Sequence, residues 1–328
     1  LILAGDLGGT KTYLARFTIA GGLPGPPVDP ELLLSADYPS FEALLRAYLT
    51  KHPGPVEAAC LGVAGAVVEN SVRVTNLPWI VDGASLAREL GLGRVRLIND
   101  LVATGYGIAA LRPGELTPLQ PGEPASDANA GLLAAGTGLG ESILVRVGRD
   151  YLPVPSEAGH ADFAPRTDDE IDVFRALRAR YGRVSYERLL SGPGLVALAE
   201  FFHEERSAQA EWARHLEAAG EEGAAEAVST AAMAGSCPAC EAALRLFVGV
   251  YGAEAGNMAL RAVARGGIYL GGGIAPKILP ALRWGVFLEA FRDKEHLRPL
   301  LSSIPVWVIL NPRTGLLGAA RHAAMAEG

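Results

Sequence analysis

Residues 4–17 read AGDLGGTKTYLARF and residues 134–147 read AAGTGLGESILVRV. In each, a short apolar run leads into a glycine cluster, and the residues after the glycines decide the fold. A Rossmann fingerprint needs G-x-G-x-x-G opening a helix, so that pyrophosphate meets the helix N-terminus. After Gly9 the chain runs Thr-Lys-Thr-Tyr-Leu-Ala-Arg-Phe, and after Gly140 it runs Glu-Ser-Ile-Leu-Val-Arg-Val. Both continuations read as strands, and neither site matches G-x-x-x-x-G-K-[ST]. Each stretch is therefore a strand–turn–strand hairpin with glycine at its tip. There glycine permits positive φ and lets backbone N–H groups approach a phosphate closely. Thr10, Thr12 and Thr137 would add hydroxyl donors, and Asp6 is placed to hold Mg²⁺ through water. An ordinary glycine hairpin would explain either turn alone. A third cluster, Gly271-Gly272-Gly273 after another apolar strand, tips the reading towards a nucleotide.

Outward from these turns, short apolar runs mark strands at Leu1–Gly5, Ala59–Val63, Val72–Thr75, Arg94–Ile98, Gly131–Ala135, Ser142–Val147, Gly267–Leu270 and Val306–Leu310. Runs of 3.6 period mark helices, among them Phe41–Lys51, Asp100–Leu111, Asp168–Tyr181, Cys240–Ala264 and Gly315–Ala326. Strands and helices mix throughout, which makes the class α/β. The stretch Arg112–Asn129, rich in Pro, Gly and polar residues, reads as a domain seam, whereas Gly21–Pro30 reads as a hairpin excursion. The echo between the two glycine hairpins points to two domains of related topology, 1–110 with a returning tail 314–328, and 111–313.

Composition narrows the function. At 328 residues the chain is long enough for two domains, and 49% hydrophobic with 20% charged residues describes a globular protein. A net charge of -7 argues against a nucleic-acid partner, because phosphate backbones are bound by surplus Lys and Arg. The longest uncharged runs, such as Pro299–Pro312, reach 14 residues, short of the ~20 of a membrane span. The opening Leu-Ile-Leu-Ala-Gly-Asp has neither the cationic region nor the cleavage site of a signal peptide. Three cysteines, Cys60, Cys237 and Cys240, fit a reducing compartment better than a disulfide framework. Together these features imply a soluble, cytoplasmic protein. Cys237-Pro238-Ala239-Cys240 supplies only two thiols and reads as structural cysteines, not as zinc ligands or a redox motif.

Two segments carry candidate chemistry. Leu97-Ile98-Asn99-Asp100 ends a strand and opens a helix. Asp100 is either a helix N-cap or a carboxylate at a strand's C-terminal end, where α/β proteins bind ligands. In the second role it can take a proton from an attacking hydroxyl. Its ordinary pKa of about 3.9 suffices, since phosphoryl transfer asks mainly for positioning. In Ser156-Glu157-Ala158-Gly159-His160-Ala161-Asp162, acceptors and donors side by side suit sugar hydroxyls, which both give and accept hydrogen bonds. Glu187 alone would pass as a surface helix charge.

Asp6-Leu7-Gly8-Gly9-Thr10-Lys11-Thr12 resembles the first phosphate motif of the actin/hexokinase/Hsp70-like superfamily, with its ribonuclease H-like domains. Gly136-Thr137-Gly138-Leu139-Gly140 resembles the second, and Gly271-Gly272-Gly273-Ile274-Ala275-Pro276 the adenosine motif. Thr75-Asn76, the Ile98-Asn99-Asp100 segment, EAGHADFAP and ERLLSGPGL are similar to bacterial glucokinases of the non-ROK type, over essentially the whole chain.

The resemblance implies a two-domain actin-like fold with an interdomain cleft, ATP and Mg²⁺ as cofactors, glucose as the substrate, and a homodimer. It assigns Asp100 as catalytic base, and Asn76, Asn99, Asp100 itself, Glu157, His160 and Glu187 to the sugar. It also assigns Asp6, Gly8, Gly9, Thr10, Lys11, Thr12, Gly136, Thr137, Gly138, Gly272 and Gly273 to the nucleotide. In that family the last helix returns to the N-terminal domain. Ala158 departs from the glycine common there, and Lys11 from a frequent Asn. A hexose kinase of broader specificity, a sugar-binding regulator without catalysis, and an ATPase switch stand as alternatives.

Overall fold

The computed structural model describes residues 1–74, 77–205 and 223–325. The chain divides into two compact units, one of residues 1–115, 150–155 and Asn311 onward, the other of residues 116–149 and 156–310.

In the first unit, β1 (Ile2–Leu7) and β2 (Lys11–Phe17) form an antiparallel hairpin in which Leu7 pairs with Thr12. β3 (Val28–Leu34) adds to β2 antiparallel, while β4 (Ala58–Val63) and β5 (Val95–Asn99) extend the other side, each parallel to its neighbour. The order is β3-β2-β1-β4-β5. All of β4 is buried, as a parallel strand covered on both faces requires. One face is covered by α1 (Phe41–Lys51), which starts where Ser40 accepts the Ala43 N–H and buries Phe41, Leu44, Leu45 and Tyr48, and by α2 (Gly83–Leu90), which buries Leu86. On the other face the C-terminal helix Thr314–Met325 packs Leu316, Ala319, Ala320 and Ala323 against Ile2, Ala4, Ala15, Phe17 and Ala58.

That helix also lies on α3 (Asp100–Gly107) at backbone contact distance. A side chain at Gly318 would collide with the Ala103 carbonyl, and one at Gly107 with the Thr314 carbonyl. The short strand Asp150–Val154 packs on α3, and Asp150 pairs with Arg321 of the C-terminal helix. Residues 150–155 count with the first unit.

In the second unit, β7 (Ala130–Ala135) and β8 (Leu139–Val147) make another hairpin, with Ala135 opposite Leu139. β9 (Ile268–Gly271) runs parallel to β7, β10 (Val306–Ile309) parallel to β9, and β6 (Leu116–Gln120) antiparallel to β10. The run β8-β7-β9-β10 thus repeats the run β2-β1-β4-β5: a hairpin, then two parallel strands. Helices α4 (Asp168–Tyr181), α5 (Gly192–Glu205) and α6 (Pro238–Ala262) join its core. α6 receives α7 (Val286–Arg292) over Gly249, Gly252 and Gly256, where an added Cβ would meet Val286, Phe287 and Phe291.

Three features differ from the reading of the sequence. The seam Arg112–Asn129 contains β6, an edge strand whose Pro118 interrupts both the pairing register and the apolar alternation. The excursion Gly21–Pro30 does turn as a hairpin, Ile19–Ala20 pairing with Leu23–Pro24, but it then runs into β3, another edge strand, held by the Arg16–Asp29 ion pair. Cys237 and Cys240 are joined as a disulfide across the start of α6, where Cys237 Sγ also accepts the Cys240 N–H at 3.1 Å. Among the described residues no single helix is long and apolar enough to cross a membrane.

Candidate active site

In the first unit the turn after β1 closes on itself, with Gly8 N–H donating to the Lys11 carbonyl at 3.0 Å. Ser35, just past β3, buttresses it. The Ser35 N–H donates to the Thr10 carbonyl at 3.0 Å, and its hydroxyl donates to the Gly8 carbonyl, also at 3.0 Å. Gly8 and Gly9 are half-buried and Thr10 and Lys11 exposed. Thr12 is a correction. It is fully buried, and its hydroxyl meets Ser35 Oγ at 3.0 Å, so it anchors the turn from behind instead of donating to a phosphate. Strand alternation sends its side chain inwards. No motif marks Ser35, because its role depends on β3 arriving beside β2.

Asn99 closes β5 and caps α3. Its Oδ1 accepts the N–H groups of Leu101 at 2.9 Å and Val102 at 3.3 Å, while its Nδ2 donates to the Gly65 carbonyl at 3.2 Å. The capping role open to Asp100 thus falls on Asn99. Asp100 is the first residue of α3, half-buried, with Oδ1 accepting Leu101 N–H at 2.8 Å. Asp6, at the end of β1, stands close enough to feel it. Burial first, and the like charge of Asp100 second, push the Asp6 carboxyl up to about 6. Gly315, at the start of the C-terminal helix, completes the corner, since a Cβ there would lie 3.9 Å from both Asp6 Oδ2 and the Asp100 carbonyl. Asn76 lies outside the described residues.

In the second unit the turn Gly136–Gly138 is closed by Gly136 N–H donating to the Gly138 carbonyl at 2.8 Å, with Thr137 exposed at its tip. Gly272 has φ of +79° and presses on the Ala135 backbone, leaving no room for a side chain. Gly273 has open space before it and leads into the short helix Ile274–Lys277. The adenosine-like and phosphate-like segments therefore meet at the end of β7.

Glu157 is exposed at the head of the turn Ala158–His160, and His160 Nδ1 stands 3.6 Å from Glu187 Oε1. Glu187 Oε2 accepts the Leu139 N–H at 3.0 Å. Behind Glu187, the Tyr186 hydroxyl accepts from Asn257 Nδ2 at 3.2 Å, and the same amide donates to Glu254 Oε2 at 2.8 Å. Glu254 is fully buried and paired with Arg261 at 2.5 Å. No motif marks this support; Gly159 and Gly192 do lie in the EAGHADFAP and ERLLSGPGL segments, and they pack on Leu139 and Gly136 of the turn.

The structure thus gathers Asp6, Gly8, Gly9, Thr10, Lys11, Asn99 and Asp100 in one unit. In the other it gathers Gly136, Thr137, Gly138, Glu157, His160, Glu187, Gly272 and Gly273. Known proteins are similar along the whole chain. The glucokinase of Nostoc punctiforme is 42% identical over 337 residues, covering 99% of each chain. The crystal structure of a glucokinase from an Antarctic psychrotroph superposes with a TM-score of 0.86 at 29% identity, covering 98% of both chains. A Balamuthia mandrillaris glucokinase in complex with glucose shares the fold, with a TM-score of 0.81 at 21% identity over 99% of this chain and 93% of its own. The family model described as Glucokinase matches residues 3–326, and the chain belongs to the glucokinase family.

Proposed function

We propose that this protein transfers the γ-phosphoryl group of ATP to the 6-hydroxyl of glucose, giving ADP and glucose 6-phosphate as an entry step to glycolysis. Within the site, the observation that carries the reading is that Asp6, at the end of β1, and Asp100, at the start of α3, border one corner beside Gly315. Asp100 accepts the proton of the attacking hydroxyl. A weak base serves, because the loose transition state of phosphoryl transfer needs alignment more than deprotonation in advance. Asn99 holds its place through the α3 cap and Gly65, which leaves an amide N–H for a sugar hydroxyl. Glu157, His160 and Glu187 supply the remaining donors and acceptors, and Asn76 joins them by family resemblance.

The backbone N–H groups of Gly8–Lys11 and Gly136–Gly138 cradle the phosphates, and Gly272 and Gly273 let the adenosine approach the main chain. Asp6 Oδ2 and the Asp100 carbonyl both border the corner at Gly315, and these oxygens fit a dication, so Asp6 would hold Mg²⁺ through water. When bound there, Mg²⁺ would supply positive charge to the phosphate oxygens. The reading requires both units to serve one reaction centre in a cleft, with domains 1–110 plus 314–328 and 111–313 closing on glucose to exclude water. It also carries a cytoplasmic location, and the resemblance adds a homodimer.

ADP release from Mg·ATP with glucose, mannose, fructose, galactose and N-acetylglucosamine, each against a blank without sugar, tests the proposal. Glucose-dependent turnover over a low blank is expected. Equal turnover with mannose would make it a broader hexose kinase, and turnover without sugar an ATPase switch. Asp100→Asn or Asp100→Ala is expected to cut kcat by about 10²-fold or more. Near-normal turnover in either variant would remove Asp100 as the base.

A further inference from the structure

Within the second unit, three contacts tie the sugar segments to the phosphate turn. Leu139 N–H donates to Glu187 Oε2 at 3.0 Å, and Gly192 N–H donates to the Gly136 carbonyl at 2.8 Å. Gly159 lies so close to the Leu139 carbonyl that no side chain fits there. Glu187 is the member with a second oxygen to spend, because its Oε1 stands beside His160 Nδ1 at 3.6 Å. Gly138 sets how near the carboxylate can come. A Cβ at that position would lie 2.5 Å from Glu187 Oε2 and 3.2 Å from its Cδ. The obstructed atoms end a flexible side chain, so an added methyl would move the carboxylate and leave the backbone in place.

We infer that Glu187 locks the sugar subsite to the phosphate turn, one carboxylate oxygen to each, and that Gly138 is thereby a determinant of sugar affinity as well as a lining of the nucleotide site. The inference rests on the sugar and nucleotide reading above. In it, Glu187 is a positioning residue for the turn besides being a ligand of the sugar. An acceptor held by a backbone N–H is pre-oriented, so occupancy of one subsite is felt in the other without any other part of the unit moving.

The test is glucose binding without nucleotide, by titration calorimetry, in the full chain. Gly138→Ala is expected to weaken glucose about tenfold or more, the loss expected for a displaced charged hydrogen-bond partner, with thermal melting close to wild type. Wild-type glucose affinity in this variant, with only the KM for ATP changed, would overturn the inference. A wild-type chain that binds no glucose would instead overturn the sugar reading itself, and the inference with it.

A second series reads the link from the other side. Glu187→Gln keeps an oxygen for the Leu139 N–H but offers an amide beside His160, so the KM for glucose should rise while that for ATP stays near wild type. Glu187→Ala removes both oxygens and should raise both KM values. An unchanged KM for ATP in Glu187→Ala would break the proposed link whether or not Gly138→Ala folds.

Discussion

Glu141 lies just past the turn Gly136–Gly138, on β8, and is fully buried. Among the described residues neither of its carboxylate oxygens accepts a hydrogen bond, and Arg261 Nη1 stands 3.8 Å away, already paired with Glu254 at 2.5 Å. Burial first, then the negative charge of Glu254, push its carboxyl from the usual 4.5 up to about 8 against the partial relief of Arg261, and Tyr251 faces it from the same helix. The folded value lies above the unfolded one, so this group's contribution to stability is complete below about pH 4.5 and is lost as pH rises through about 8. Glu141→Gln should therefore match wild type in acid and gain on it steadily towards pH 8, by a few kcal/mol, in urea midpoints followed against pH. Parallel profiles would show Glu141 ionised in the fold. Such a pair is invisible in the sequence because Glu141 and Glu254 are brought together only when β8 meets α6. The segments around Asp100 and Glu187, by contrast, are contiguous in the chain and can be read as motifs without the fold. Thr12 misleads for a local reason: the same turn that shows Thr10 to solvent buries a neighbour, and only strand pairing decides which.

At the scale of elements, the glycine-rich turns are legible as hairpins because β-branched residues come after them, and α1 and α4 because cap and period agree. β3 and β6 are not, since edge strands need neither alternation nor freedom from proline. The contact between α3 and the C-terminal helix rests on glycines that the sequence leaves unremarkable. Gly318→Ala would drive a methyl into the Ala103 carbonyl, and Gly107→Ala another into that of Thr314. Each is expected to cost about 2–3 kcal/mol in chemical denaturation. Because α3 begins at Asp100, kcat should fall before the protein unfolds. Full activity and unchanged stability in both variants would mean that the two helices separate at little cost.

At the scale of the molecule, the two units share one strand plan, and the echo of residues 4–17 in 134–147 is its trace in the sequence. If glucose binds as proposed, saturating sugar should raise the melting temperature, with about 2.7 kcal/mol of added stability at a hundredfold excess over Kd, while a sugar alcohol of similar size should not. Asp100→Asn should keep most of that shift although its turnover is lost, which separates binding from chemistry. A shift of equal size with the alcohol would point to a solvent effect.

The C-terminal helix has a consequence for biosynthesis. It covers the apolar face formed by Ile2, Ala4, Ala15, Phe17 and Ala58, yet it leaves the ribosome about 200 residues after the main part of its unit. At ordinary elongation rates that face waits on the order of 10–40 s for its cover. For that interval the nascent chain exposes a strip of sheet that a chaperone must shield or a neighbouring nascent chain can claim. The yield of soluble protein should accordingly respond to translation speed and chaperone supply more strongly than the stability of the finished fold would imply.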